Sequence, residues 1–245
     1  MRLAEFLSEK KPDVCCLQEL KLTDDEFPHD ELRALGYEAV LYGQSAWNGV
    51  AVIATTKPTL VLRGLPGGEE DGARFVVAKV GEIEFASVYV PNGKSANHPD
   101  YKVKLRWLES LAKHIESRAD KDAPLVLGGD FNVCWTPQDS FGGTRFDGRV
   151  HHTTEERALL DRLRAAGLVD LYRTKYPEEP GYSWWDYRAG SFHKKEGMRI
   201  DLLLATPAVA TRVTEVHVER EFRKKGKPSG SIPSDHAPVV ATLSE

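Results

Sequence analysis

The sequence predicts an α/β chain in which two β-sheets pack face to face with helices on the outside. Three observations carry this. Short apolar segments with strand character outnumber the helical patterns. Two long amphipathic helices are interposed among them. No linker-like stretch divides the 245 residues, a length that builds a core without staples.

In chain order, Leu3, Phe6 and Leu7 form a helical stripe with no capping residue ahead of it. Residues 13–17 (DVCCL) follow the Pro12 break and read as a buried strand. Residues 49–54 (GVAVIA) read as a strand covered on both faces, because they carry no polar side chain. Residues 74–80 and 82–90 flank Gly81 as a hairpin. Pro99 opens a helix over 99–117, with Tyr101, Leu105, Leu108, Leu111 and Ile115 at spacings of three and four. Residues 125–127 add a strand. Thr153 and Glu156 form a capping-box pattern ahead of Leu159, Leu160, Leu163 and Ala166, and Gly167 stops that helix. Residues 200–205 and 238–243 supply the last strands.

Apolar residues make up 41% of the chain, an ordinary value for a soluble protein. Cys15, Cys16 and Cys134 show neither disulfide nor metal spacing, which points to a reducing, cytoplasmic setting. No run approaches the ~20 apolar residues of a membrane span, and the first residues lack a signal-peptide stretch. The net charge of −4 does not announce a nucleic-acid binder. Basic residues do gather locally, at Arg188, Lys194, Lys195 and Arg199 and again at Arg220, Arg223, Lys224, Lys225 and Lys227. Charge alone reads these as solvated surface. An acidic catalytic cluster would nonetheless mask a basic rim in the total.

Polar residues recur where apolar strands end. Gln18-Glu19 follows Leu17, Asp130 and Asn132 follow Gly128-Gly129, and Tyr89 and Asn92 bracket the end of 83–90. Asp201 sits between Ile200 and Leu202, and Asp235-His236 precedes Ala237-Pro238. Each has a plain structural explanation by itself. Glu19 reads as a cap or surface residue, Asp130 as an Asx turn, Asp201 as a partner of Arg199, Asp235-His236 as a loop and Tyr89 as core. Their joint occurrence carries the argument. Charges beside buried strands are costly unless paired or metal-bound. Carboxylates and amides suit a hard cation such as Mg²⁺, whereas zinc lacks a His/Cys ligand cluster. No Gly-x-x-x-x-Gly-Lys loop or Gly-x-Ser-x-Gly elbow is present, and Ser234-Asp235-His236 cannot form a triad from consecutive residues. A metal, a water nucleophile, a base and phosphate donors make a phosphoester hydrolase.

The motifs Leu17-Gln18-Glu19, Tyr89-Val90-Pro91-Asn92-Gly93, Gly129-Asp130-Phe131-Asn132-Val133, Gly197-Met198-Arg199-Ile200-Asp201 and Ser234-Asp235-His236-Ala237-Pro238 span nearly the whole chain. In them the sequence resembles the endonuclease/exonuclease/phosphatase superfamily, and within it the exonuclease III group. Trp184-Trp185-Asp186-Tyr187-Arg188-Ala189-Gly190 resembles bacterial exonuclease III relatives rather than sphingomyelinases or inositol phosphatases.

The resemblance implies one domain with a four-layer sandwich, two mixed sheets between outer helices. It implies Mg²⁺, for which Mn²⁺ can substitute. Glu19 is then the main metal ligand, Asp235 belongs to a second metal position or wider ligand set, and Asp130, Asn132 and His236 stand in the same metal environment. Asp130 is taken as the base, Asn132 as a positioning and transition-state donor, and His236 as a phosphate contact oriented by Asp201. Tyr89 and Asn92 donate to phosphate oxygens. Trp184 and Trp185, with Met198 and Ile200, form a pocket for an abasic sugar, and Arg188, Lys194 and Lys195 contact backbone phosphates.

The implied activity is 3′–5′ exonuclease on duplex DNA and cleavage 5′ to abasic sites, by a monomer with no membrane partner. The competing readings are a non-DNA phosphodiesterase of the superfamily and a non-catalytic DNA-binding remnant. Family members begin with a Trp-Asn-Val-Asn type strand ahead of the helix that starts here at Met1. The chain lacks that segment, so the expectation is a truncated N-terminus without one active-site amide.

Overall fold

The structure is a computed structural model in which residues 2–224 and 232–244 are described. Lys225 and Lys227 of the basic cluster, and Met1, lie outside the described residues. The elements are, in order, α1 (Arg2–Lys10), β1 (Val14–Gln18), α2 (His29–Ala34), β2 (Glu38–Tyr42), β3 (Val50–Ala54), β4 (Thr59–Arg63), β5 (Phe75–Val80), β6 (Ile83–Tyr89) and α3 (Pro99–Glu116). There follow β7 (Leu125–Asp130), α4 (Thr154–Ala165), β8 (Val169–Asp170), α5 (Leu171–Lys175), α6 (Ser191–Lys194), β9 (Asp201–Ala205), α7 (Pro207–Ala210), β10 (Val213–Val218) and β11 (Val239–Leu243).

Alternation along the strands builds the expected layers. On β3, Ala51 and Ile53 face α1 and α2 with Phe6, Leu7 and Leu32, while Val50 and Val52 face Val76 and Ala78 of β5. On β5 itself, Phe75 and Val77 turn the other way and pack under Trp107, Leu108 and Leu111 of α3 and Leu160 and Leu163 of α4. Helices, sheet, sheet and helices thus stack in four layers. The smaller sheet runs β1-β3-β2 and is antiparallel. The larger runs β4-β5-β6-β7-β9-β8 and is mixed through its parallel β6–β7 pair. A third pair, β10-β11, packs through Val213 and Val216 onto Val126, Leu171 and Ala205.

The predicted hairpin and both helices form as read. Thr153 and Glu156 make the reciprocal capping box. The uncapped first helix is held instead by Arg2, which pairs with Glu5 at 2.9 Å and donates to the Phe222 carbonyl at 2.7 Å. On α3 the reading needs correction, because Lys104 and Trp107 are buried while Leu105 is only partly so. The strand read at 125–127 continues to Asp130, and that extension delivers the site.

β1 and β11 each stand at the edge of their sheet. A groove of about 820 Å³ lies between them, with Phe85, Val126 and Leu203 in its walls and Asp130 and Asp201 at one end. No helix among the described residues is long and apolar enough to cross a membrane.

Candidate active site

Strand register brings the polar residues together. Tyr89 on β6 lies opposite Asp130 on β7, and Asp130 lies opposite Asp201 on β9. Three residues far apart in sequence therefore form one row at one end of the larger sheet. From the smaller sheet, Glu19 follows β1 and accepts a 2.6 Å hydrogen bond from the Tyr89 hydroxyl. The C-terminal segment is sewn to this rim by main-chain bonds from Trp185 N to Asp235 O (3.0 Å) and from Ala237 N to Ser183 O (2.7 Å). A cavity of about 690 Å³ results. Glu19, Tyr89, Asn92, Asp130, Asn132, Trp184, Met198, Asp235 and His236 all line it, along with Gln18, Lys21, His151, Tyr187 and Ile200.

The row is tightly wired. His236 Nδ1 lies 2.9 and 3.0 Å from the two Asp201 oxygens, so Nε2 is the nitrogen available to a substrate. The Asp130 carboxylate accepts from Asn132 N and Nδ2, both at 2.8 Å, and Asn92 Nδ2 donates to Asn132 Oδ1 at 3.1 Å. Burial pushes the Asp130 carboxyl up to about 7, and the negative charges of Asp201 and Glu19 add to this against the pull of His236. Burial alone would lower His236, but Asp201 outweighs it and, with Asp130 and Asp235, raises the imidazole to about 10. His236 is therefore an imidazolium at neutral pH. Burial and the Glu19 carboxylate push the Tyr89 hydroxyl well up, so it stays a proton donor. Burial would raise Glu19, yet Tyr89 and Lys21 hold it below the ordinary carboxylate range.

Local backbone is strained where the chemistry sits. Glu19 and Asn132 adopt φ of 54° and 51°, left-handed values for residues with a Cβ. Gly129, just before Asp130, has φ 152°, and a Cβ there would fall 2.0 Å from the Val88 carbonyl oxygen. Only glycine lets β7 approach β6 this closely.

Among the described residues, no group of three or more His, Cys, Asp or Glu side chains gathers as a metal cage. Glu19, Asp130 and Asp235 line the cavity as separate oxygen donors, each engaged by a neighbour: Tyr89, Asn132 and, at 2.9 Å, Trp184 Nε1. Such a set fits Mg²⁺, which takes one or two carboxylates and keeps water and substrate oxygens for the rest.

Lys21 and His151 of the cavity lining, and Lys104 behind it, escaped the sequence reading. Lys104 is fully buried, donates to the Asn132 carbonyl at 2.6 Å and pairs with buried Glu156. His151 Nδ1 meets the same carbonyl, and burial beside Lys104 drops its imidazole to about 3, leaving it neutral. The available signal was a lysine on the apolar stripe of α3, three residues after Tyr101 and four before Leu108. Removing one partner of a buried ion pair costs about 3–5 kcal/mol, because it strands the other charge. Lys104→Met is therefore expected to lower unfolding stability by that order in urea titration. Adding Glu156→Gln should recover part of the loss, and a Lys104→Met variant as stable as the parent would refute the pairing.

On the substrate side, Trp184 and Met198 pair by an isolated β-bridge and pack with Cys134 and Ile200. Trp185, expected beside Trp184, is core instead: it is buried against Phe192, edge to face at 5.1 Å. Arg188 is not among the cavity residues; it is exposed and paired with Asp186 at 2.8 Å. Arg199 does not serve Asp201. Its guanidinium bonds Asp139 at 2.6 Å and Asp170 at 2.8 Å, a buried structural network.

The comparisons with known proteins concern the family and the fold. Residues 1–236 match the Endonuclease/Exonuclease/phosphatase family. Exodeoxyribonuclease III of Haemophilus influenzae is 31% identical over 255 residues, covering 98% of this chain and 93% of its own. The 3′-5′ exonuclease NExo from Neisseria meningitidis superposes with a TM-score of 0.93 at 34% identity, over 99% of this chain and 93% of that one. NExo has also been solved as a 3′ phosphatase bound to a product DNA hairpin. An AP endonuclease from Archaeoglobus fulgidus superposes with a TM-score of 0.92 at 32% identity, over 98% and 92% of the two chains. With its motifs in one cavity and these relatives along its whole length, the chain belongs to the endonuclease/exonuclease/phosphatase family of hydrolytic enzymes.

Proposed function

We propose that this protein is a Mg²⁺-dependent DNA phosphoesterase that hydrolyses 3′ ends of duplex DNA. The observation that carries the reading is the row Tyr89, Asp130, Asp201 and His236. It sets a carboxylate with a pKa of about 7 beside an imidazolium held by a second carboxylate. A base is most effective when its pKa lies near the working pH. Asp130 takes the proton of the water that attacks phosphorus, and Asn132 holds that water and donates to the developing charge. The phosphorus–oxygen bond to the leaving 3′ oxygen breaks as the new one forms. Tyr89, Asn92 and the His236 imidazolium donate to the phosphate oxygens. With Nδ1 on Asp201, His236 turns Nε2 toward the phosphate. Glu19 would hold the Mg²⁺, with Asp235 in the wider set, and Mn²⁺ can replace it. Held there, such an ion would supply positive charge to neutralise the scissile phosphate.

The names of the relatives support DNA as substrate and 3′ ends as the point of attack. A second reading, cleavage 5′ to abasic sites, is favoured by the Trp184, Met198 and Ile200 wall beside the phosphate donors. That wall suits a sugar that carries no base. Three free thiols, Cys15, Cys16 and Cys134, support a reducing, cytoplasmic setting.

One assay separates the readings. A duplex with a recessed 3′ end and an internal tetrahydrofuran residue is incubated with Mg²⁺, with EDTA, and with Mg²⁺ restored. Release of 3′ nucleotides only with the metal is expected, and a nick 5′ to the tetrahydrofuran would add the second activity. No product from either position would overturn the proposal.

A further inference from the structure

Behind the hydrolytic row lies an ion pair that the chemistry so far does not use. Lys104 and Glu156 are both fully buried and bridge α3 to α4. A buried pair of this kind often gains no stability over well-packed apolar residues of the same volume, because both ions lose their water. What it does supply is a fixed geometry.

The ammonium is aimed at the turn that carries Asn132. Lys104 Nζ donates to the Asn132 carbonyl at 2.6 Å, and a hydrogen bond from an ion is stronger than one from a neutral donor. His151 Nδ1 shares that oxygen, and the His151 main-chain N–H is in turn held by Glu156 Oε1 at 3.0 Å. The other Glu156 oxygen accepts from Thr153 N at 3.0 Å and Thr153 Oγ1 at 2.8 Å, at the cap of α4. Both groups on the Asn132 carbonyl are thus tied to one carboxylate anchored at a helix end. The lysine stem supports a second turn as well. Gly93, next to Asn92, has φ 86°, and a Cβ there would fall 3.0 Å from Lys104 Cδ, so that turn rests directly on the stem.

Asn132 needs such support. Its φ of 51° persists in a residue with a Cβ only where the surroundings over-determine the backbone. From that conformation its N and Nδ2 both reach Asp130 at 2.8 Å, Nδ2 also donates to Val90 O at 3.1 Å, and Oδ1 accepts from Asn92 at 3.1 Å. With its carbonyl released, the residue can relax toward ordinary backbone angles and carry its side chain away from Asp130.

We propose that Lys104 is a positioning residue for hydrolysis: through the Asn132 carbonyl it holds the strained turn that sets Asn132 against Asp130 and the attacking water. The inference rests on the reading of Asp130 and Asn132 as hydrolytic groups. It adds a residue that lies outside the cavity lining and works only through its neighbour.

The test is a double-mutant cycle between Lys104→Met and Asn132→Ala, with Leu32→Ala as a control. Leu32 is buried under α2 on the other outer layer, and its truncation lowers stability without reaching the site. Rates are measured with Mg²⁺ on duplex DNA and on bis(p-nitrophenyl) phosphate, at a temperature where circular dichroism shows each variant folded. Lys104→Met is expected to lower kcat on either substrate by about 10–100-fold, the usual loss when a partner that orients an active-site group is removed. KM for the duplex should not change, and Leu32→Ala should keep the parent kcat. In the Asn132→Ala background, Lys104→Met should lower kcat by less than about twofold, because the side chain it positions is gone. Where Lys104→Met does not fold, its combination with Glu156→Gln, which strands no charge, takes its place. A full second loss in the Asn132→Ala background, or parent-like kcat in Lys104→Met, overturns the inference. If the parent hydrolyses neither substrate, the functional reading has failed, and the Asn132 side-chain amide resonance decides instead. A signal unmoved by Lys104→Met rejects the positioning role, and one displaced in Lys104→Met but not in Leu32→Ala upholds it.

Discussion

Asp130→Asn is expected to lower kcat by about 10²–10⁴-fold, the usual contribution of a positioned base, without unfolding the protein. The amide is nearly isosteric and can still accept from Asn132 through its oxygen, so the β7 end and its neighbours keep their arrangement. What disappears is the proton acceptor. The sign of the accompanying pH effect follows from the carboxyl being raised to about 7 by burial and by Asp201 and Glu19. A base works only when deprotonated, so parent activity rises with pH through this group. A metal bound nearby moves the midpoint below that value, and the rise is absent in Asp130→Asn. Stability runs the opposite way. A buried carboxyl with a raised pKa prefers its neutral form, so the folded state gains from protonation of Asp130 as pH falls. Steady-state kinetics from pH 5 to 9 and thermal unfolding of the same samples measure both. Parent-like kcat in the variant would remove Asp130 from the chemistry and leave the Asp201–His236 pair as the base.

Asp201→Asn is expected to produce a defect that grows with pH. In the parent, Asp201 carries His236 to about 10, so the imidazolium persists across the physiological range. Without that carboxylate the imidazole returns toward its ordinary value of about 6.5. At pH 8.5 only about one molecule in a hundred of such a variant would hold the charged ring. Its kcat/KM should therefore fall about a hundredfold further behind the parent between pH 6 and 8.5. The linkage to folding has the matching sign. A histidine with a raised folded pKa contributes stability that is complete below about 6.5 and is lost as pH rises through about 10. Parent stability should decline over that alkaline window, and the decline should vanish in Asp201→Asn. A ratio of variant to parent activity that is the same at every pH would show that His236 does not act as a cation.

Much of the architecture was legible because burial writes itself locally. Residues 50–54 are buried at every position, as a strand between two layers must be, and the Thr153–Glu156 box announces its helix within four residues. Exposed or short elements left no such mark. β4 is open to solvent along most of its length, and the two-residue β8 is too brief for any periodicity. The cavity residues were legible for another reason: polar groups at the ends of apolar strands have few cheap explanations, and all of these except Asp201 line one cavity, with Asp201 directly behind His236, whereas Arg188, Lys194, Lys195 and Trp185 do not line it. Trp184 and Trp185 could not be separated in the same way. Neighbours in an extended segment point to opposite sides, and nothing local says which side is the pocket.

The sequence by itself determined the family, the layer pattern and the chemical types at the rim, since these depend on residue identity and short-range spacing. Tertiary structure alone decided who pairs with whom. Asp201 took His236, thirty-five residues away, and left Arg199 to Asp139 and Asp170. Lys104 went under the Asn132 carbonyl. A charge in a low-dielectric interior takes the partner that register and layer packing bring within hydrogen-bond reach. Those distances are set only when β6, β7 and β9 lie side by side.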